Sequence, residues 1–258
     1  MSQPLRVGVV PYLNVAPIVR GLASDPRFDL QRDLPSRVAE RLHASELDLG
    51  MIPSIEYARG AYAIVPGVAI GSRGPVRSVR LLHRVPLAEV RRVALDASSR
   101  TSAALLRIVL RQRLGRDPEY LTLPPDAPAM LAVADAALLI GDPALYWEGE
   151  AESLDLGEEW TRTSGLPFVY AFWAGRPGAL RRDDVARLQA SLAAGLRALP
   201  EIAASYDGHA ALNQTYLCQH MAYGLGEAER EGLREFYRRA SALGVIPAEP
   251  ELRFYDGP

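Results

Sequence analysis

Short apolar runs, each closed by a turn-forming residue, recur along the first two thirds of the chain and alternate with segments of helical spacing. Residues 5–10 form the first run, ended by Pro11, and predict a buried strand. A short helix is expected over 15–22. Residues 28–34 alternate as a strand does. Pro35-Ser36 then opens an amphipathic helix with Val38, Leu42 and, past a polar turn, Leu47 on its apolar side. Strands follow at 48–52, closed by Pro53-Ser54, and at 62–70 and 76–83. A second cycle starts at Arg91, with a strand at 92–95, a polar turn at 96–101 and a strong helix at 102–114. Strands at 120–123 and 136–140 flank a short helix near 128–133, and another strand covers 167–174. From Arg182 onward the spacing is helical, with Val185, Leu188, Leu192 and Leu196 on one face and Leu233, Phe236 and Tyr237 on another.

Strand and helix alternating through short connections predict an α/β fold with a largely parallel sheet. Two such cycles followed by a helical tail predict two α/β lobes around a central cleft. With boundaries near 84–90 and 174–177, residues 1–86 and 176–258 form one discontinuous lobe and 87–175 the other. The chain then crosses twice, and the C-terminal helices return to complete the first lobe. Such a design turns strand ends and helix N-termini toward a shared crevice. The alternative is one continuous doubly wound sheet.

Composition narrows the chemistry. All 29 basic residues among the 258 are arginine. Without a lysine there is no Schiff base, no pyridoxal phosphate attachment and no P-loop lysine. Cys218 is the single cysteine, so no internal disulfide or thiolate metal cluster can form. The four histidines show no metal-ligand spacing, and neither a metal nor a cofactor is expected. A formal net charge of -2 gives no electrostatic case for nucleic acid or an anionic membrane. No apolar run approaches the ~20 residues that span a bilayer. The N-terminal residues run straight into a strand with no export signal, which predicts a cytoplasmic protein. Oligomeric state is left open.

Candidate chemistry gathers at strand ends. Tyr12 and Asn14 follow the first strand; Asn14 either caps the next helix or offers an amide to a ligand. Ser54, past the third strand, is a cap or an anion ligand. Ser98, Ser99, Thr101 and Ser102 crowd the N-terminus of the strongest helix, a suitable cradle for a carboxylate, without the glycine spacing of a nucleotide site. Ser72 and Ser78 flank Arg73-Gly74-Pro75-Val76-Arg77, and Ser78 interrupts an apolar strand. Asp142 follows the buried run 136–140, either as a cleft carboxylate or as turn chemistry before Pro143.

Several of these segments occur together in one order. They are Val10-Pro11-Tyr12-Leu13-Asn14, Asp48-Leu49-Gly50-Met51-Ile52-Pro53-Ser54-Ile55-Glu56-Tyr57, and Gly74-Pro75-Val76-Arg77-Ser78-Val79. Ala94-Leu95-Asp96-Ala97-Ser98-Ser99-Arg100-Thr101-Ser102, Leu138-Leu139-Ile140-Gly141-Asp142, and Asp155-Leu156-Gly157-Glu158-Glu159-Trp160 with Gly165-Leu166-Pro167-Phe168-Val169 follow. Over about residues 6–175 the chain resembles the chorismate dehydratase family of the futalosine route to menaquinone. The resemblance implies a type II periplasmic-binding-protein-like fold recruited as a hydro-lyase, with chorismate as substrate and 3-[(1-carboxyvinyl)oxy]benzoate as product. It also implies Asn14 and Ser78 as active-site positions. The related dihydroxynaphthoate synthases carry a histidine after the strand equivalent to 136–140, where this chain has Gly141-Asp142. A non-catalytic binding protein for a small carboxylate is the other alternative.

The chemistry implied needs no redox cofactor, imine or metal. Loss of the C3 hydrogen of chorismate gives an anion conjugated to the ring carboxylate, and loss of the C4 hydroxyl then yields an arene. Helix N-termini near Ser54 and at 98–102 suit the carboxylates. Asp142 and the substrate's own side-chain carboxylate are the two candidate bases, the second favoured by its high effective molarity.

Overall fold

The computed structural model describes residues 3–256; the two residues at either end lie outside it. The chain runs through β1 (Leu5–Val9), a 3-10 turn (Leu13–Val15) leading into α1 (Ala16–Val19), β2 (Phe28–Arg32), α2 (Pro35–His43), β3 (Leu49–Pro53), a second 3-10 turn (Ser54–Arg59) and β4 (Ala63–Ser72). Next come β5 (Val79–His83), β6 (Arg92–Asp96), α3 (Thr101–Leu114), β7 (Glu119–Leu123), α4 (Ala127–Val133), β8 (Ala136–Ile140), α5 (Gly141–Leu145), β9 (Glu152–Asp155), α6 (Leu156–Ser164) and β10 (Phe168–Gly175). The tail consists of α7 (Arg182–Arg197), α8 (Leu199–Ser205), α9 (Ala210–Thr215), a π-helical turn (Tyr216–His220) and α10 (Glu227–Ala242).

Among the described residues the strands form two five-stranded sheets, ordered β2-β1-β3-β10-β4 and β7-β6-β8-β5-β9. In each sheet one strand opposes its neighbours: β10 is antiparallel to β3 and β4, and β5 is antiparallel to β8 and β9. Each is the strand with which the chain enters a sheet from the other one: β5 follows β4 with no helix between them, and β10 follows α6. The remaining pairings recorded are parallel.

Sheet membership moves the crossings away from the expected boundaries. Strand β5 pairs in the second sheet and β10 in the first, so the change-overs fall between Ser72 and Val79 and between Asp155 and Phe168. Hydrophobic pattern cannot tell which of two sheets will take a strand buried on both faces. The strand expected from residue 76 begins at Val79, because Arg77 takes a left-handed conformation (φ 62°) that ends extended backbone. Residues 141–164, too polar to read as regular structure, fold into α5, β9 and α6.

In α7, Val185, Leu188 and Leu192 are buried as expected, but Leu196 is exposed. The last turn of that helix meets α1 through Gly195, whose lack of a side chain lets the helix lie against the Pro17 carbonyl. Trp160, Phe168 and Phe236 pack edge to face at 5.2 and 4.9 Å, tying α6, β10 and α10 together. The tail also pairs with the first sheet, where Ala222 and Gly71 exchange backbone hydrogen bonds of 2.8 Å beside β4.

Candidate active site

A cleft between the sheets encloses about 590 Å³ of atom-free space, its open mouth included. Tyr12, Asn14, Ser78, Ser98, Ser99, Thr101 and Ser102 line it, so residues up to 90 positions apart in sequence meet as the strand-end argument requires. Ser54, Ser72 and Asp142 do not line it.

Asn14 makes no capping bond to either helical turn after β1. Its amide Nδ2 instead donates to the Tyr216 hydroxyl at 3.1 Å. Tyr216 in turn donates to Ser78 Oγ at 2.7 Å. One tyrosine thus joins the loop after β1 to the crossing segment. Tyr216 is buried (1% exposed), and burial pushes its phenol well above the usual tyrosine range, so it stays protonated.

Ser78 owes its position to the bend before it. The Asp155 carboxylate accepts the backbone N–H groups of Val76 and Arg77 and, at the same time, those of Gly157 and Glu158 at the start of α6. The Ser78 carbonyl accepts the N–H of Gly141 at 2.8 Å. Gly141 has φ 64°, and a Cβ there would sit 2.7 Å from the ring of Tyr12. Both the turn and the ring require glycine.

The opposite wall is the turn between β6 and α3. Buried Asp96 accepts both the N–H and the hydroxyl of Ser98, at 2.8 and 2.7 Å, which leaves the Ser98 oxygen as an acceptor. Ser98 Oγ lies 3.5 Å from the Tyr12 hydroxyl. Burial raises the Asp96 carboxyl, and its second oxygen has no hydrogen-bond partner in the protein. Ser99 Oγ is likewise buried without a partner. The opening N–H groups of α3 have no acceptor one turn back, so the helix presents partial positive charge to the cleft. Thr101 Oγ1 accepts from the N–H of Ile55 at 3.2 Å, holding this helix end to the turn after β3. Arg100, also in the lining, pairs with Glu40 at 3.0 Å.

The candidates outside the lining are structural ties. Ser54 donates to the Val169 carbonyl at 2.8 Å, fastening the end of β3 to β10. Ser72 is 3.1 Å from the hydroxyl of Tyr170, whose side of β10 reaches the lining. Asp142 sits behind Tyr12, with Oδ1 accepting from the N–H of Leu13 at 3.1 Å and Oδ2 from the Tyr206 hydroxyl at 2.5 Å. Burial raises its carboxyl, and these two bonds pull it back. The histidines line no part of the cleft: His43 bridges Tyr62 and Glu56, His83 meets Val85, His209 stacks on Tyr146 and His220 meets Pro75. Among the described residues no group of three or more His, Cys, Asp or Glu side chains is placed to hold a metal.

Sequence reasoning missed Tyr216. In a helical tail, a tyrosine beside Leu217 reads as core, and only its hydroxyl hints at more. It also missed the double use of Asp155, although Asp155 and Arg77 stand in two of the motifs.

The fold defines a class: a two-lobed chain of the periplasmic-binding-protein architecture, type II, with a cleft between its two sheets. A solved protein of Archaeoglobus fulgidus superposes with a TM-score of 0.77 at 19% identity, covering 95% of this chain and 99% of that one. The periplasmic aliphatic sulphonate binding protein SsuA of Escherichia coli superposes with a TM-score of 0.66 at 18% identity, covering 100% and 94%. At these identities the likeness is one of fold alone.

The chain belongs to the menaquinone biosynthesis family, whose sequence model matches residues 5–242. A chorismate dehydratase of Thermus thermophilus is 31% identical over 275 aligned residues, spanning 94% of this chain and 96% of that relative.

Proposed function

We propose that this chain is a hydro-lyase that dehydrates chorismate to 3-[(1-carboxyvinyl)oxy]benzoate, in the cytoplasm and without a cofactor. The observation that carries this reading is the joining of Asn14 and Ser78 through Tyr216 at a hydroxyl-lined cleft, in a chain whose family includes chorismate dehydratases.

The cleft suits a dianionic ring. The N-terminus of α3 and the Arg100 guanidinium favour carboxylates, and apolar positions such as Val79, Met51 and Ile140 favour the ring. A base takes the C3 proton, and the electron pair is delocalised through the ring alkene toward the ring carboxylate. The C4–O bond then breaks with its electron pair on oxygen, and the ring becomes an arene. The hydrogen from C3 and the hydroxyl from C4 together make the water released.

Both carboxylate oxygens of Asp142 are engaged outside the lining. This supports the substrate's side-chain carboxylate as the base and gives Asp142 a positioning role. Asn14 and Ser78 are the groups assigned to the reacting centre. Tyr12, Ser98, Ser99 and Ser102 are assigned to substrate binding, and Thr101 to fixing the helix end. Ser54 and Ser72 support the walls from behind.

The test is purified protein with chorismate and nothing else added. A new aromatic carboxylate on chromatography is expected. Chorismate recovered bound but unchanged at high protein concentration would overturn the enzyme and favour a binding protein of the SsuA kind.

A further inference from the structure

The two serines at the heart of the cleft are held in opposite senses. The Ser98 hydroxyl donates its hydrogen bond to buried Asp96, so its oxygen can only accept from a ligand. Ser78 accepts a hydrogen bond from Tyr216, and among the described residues nothing accepts one from the Ser78 hydroxyl.

We propose that Tyr216 is a positioning residue that fixes Ser78 as a hydrogen-bond donor into the cleft and holds the Asn14 amide beside it. The inference rests on the dehydratase reading of this site and assigns Tyr216 a part in the departure of the C4 hydroxyl.

Donor and acceptor roles at Asn14 and the geometry of the bond from Tyr216 to Ser78 set the direction of the chain. An amide N–H can only donate, so the Tyr216 oxygen accepts from Asn14. The phenol O–H donates a hydrogen bond to Ser78 Oγ at 2.7 Å. A serine oxygen that has accepted retains its own proton for a third partner, and Ser78 lines the cleft. Hydrogen bonds linked in this way polarise one another, so each makes the next donor stronger. When the C4–O bond breaks, negative charge grows on the departing oxygen. A pre-aimed hydroxyl stabilises it without reorganising at the moment of reaction. Ser78 and Tyr216 keep their protons throughout; the water is completed by the hydrogen lost from C3.

The tail is built to hold this phenol in place. Tyr216 opens a π-helical turn, a distortion often found at functional sites. Just before it, fully buried Asn213 donates to the carbonyls of Tyr206 and Ala203 and accepts from Tyr146. Just after it, Ala222 and Tyr223 bond to the edge of β4. The phenol is therefore fixed from both sides in sequence. Purely structural satisfaction of a buried tyrosine would need a partner but not a pair of cleft residues.

A double-mutant cycle on kcat tests the proposal. Tyr216→Phe keeps the buried ring and removes the hydroxyl; kcat should fall about 10- to 100-fold while KM changes little. In a Ser78→Ala background the same change should cost less than about twofold, because the residue it acts through is gone. Equal losses in both backgrounds, or full activity of Tyr216→Phe, would overturn the proposal. If Tyr216→Phe does not fold, difluorotyrosine installed at position 216 replaces it. Its more acidic phenol should make turnover fall at a lower pH than in the unmodified enzyme, and an unchanged pH profile overturns the proposal. Absence of turnover by the unmodified protein would sink the dehydratase reading and this inference together. Normal turnover with an indifferent Tyr216 sinks this inference alone.

Discussion

Asp155 accepts the backbone N–H of Arg77 at 2.7 Å, the shortest of the bonds its carboxylate makes to four successive or neighbouring amides. One side chain thereby caps α6 and fixes a left-handed residue immediately before Ser78. Asp155→Ala should destabilise the protein by about 2–4 kcal/mol, since a cap and charge-assisted bonds to two further amides are lost at once. Turnover per folded molecule should also fall, because Ser78 loses its mooring. Urea unfolding and steady-state kinetics on the same preparation check both.

Gly195→Ala sets two effects against each other. In an exposed helix interior alanine is favoured over glycine by about 1 kcal/mol. Here the added Cβ would lie 1.8 Å from the Pro17 carbonyl oxygen, so α1 and α7 must separate. The clash wins, and a net loss of about 1–3 kcal/mol is expected in a thermal melt or denaturant titration.

Asp142→Asn separates the two roles once open to that residue. An asparagine can still accept from the Leu13 N–H, so a positioning role predicts that kcat falls less than about tenfold. Loss of a general base costs about 10²–10⁴. A kcat measurement on chorismate in the larger range would restore Asp142 as the base.

Acid should weaken the fold through its arginine-paired carboxylates. The guanidinium groups of Arg238 and Arg239 push Glu235 from the usual 4.5 down to about 2. A pKa lowered in the fold means that the unfolded chain binds more protons between those values. The contribution of Glu235 is therefore complete above about pH 4.5 and drains away as pH falls toward 2. Asp184 is lowered by Arg27 and acts in the same sense. In melting curves from pH 6 to 2.5, the gap between the native protein and Glu235→Gln should narrow steadily below pH 4.5.

Much of this arrangement could be read from residues alone, and the exceptions share a cause. Runs such as 136–140 and 48–52 are apolar on both faces, or nearly so, and announce buried strands, the second found at Leu49–Pro53. The polar turn at 98–102 announces a helix end open to ligand. What pattern could not supply was partnership across the fold. Ser54 and Ser72 look like Ser78 in sequence, yet their hydroxyls are spent on Val169 and Tyr170. Asp142 looks like a cleft acid until Leu13 and Tyr206 claim both oxygens. Tyr216 carries no local signal, because its importance lies in two atoms contributed from positions 14 and 78.

The tail that delivers Tyr216 has a bearing on how the molecule comes into being. As a ribosome releases the chain from its N-terminus, Asn14, Ser78 and the turn at 98–102 emerge long before residue 216. A nascent protein can thus raise both walls of the crevice while the link between them is still missing. The hydrogen-bonded link from Asn14 through Tyr216 to Ser78 is completed only when the closing helices dock, so a product truncated before residue 216 keeps the motifs and lacks that link.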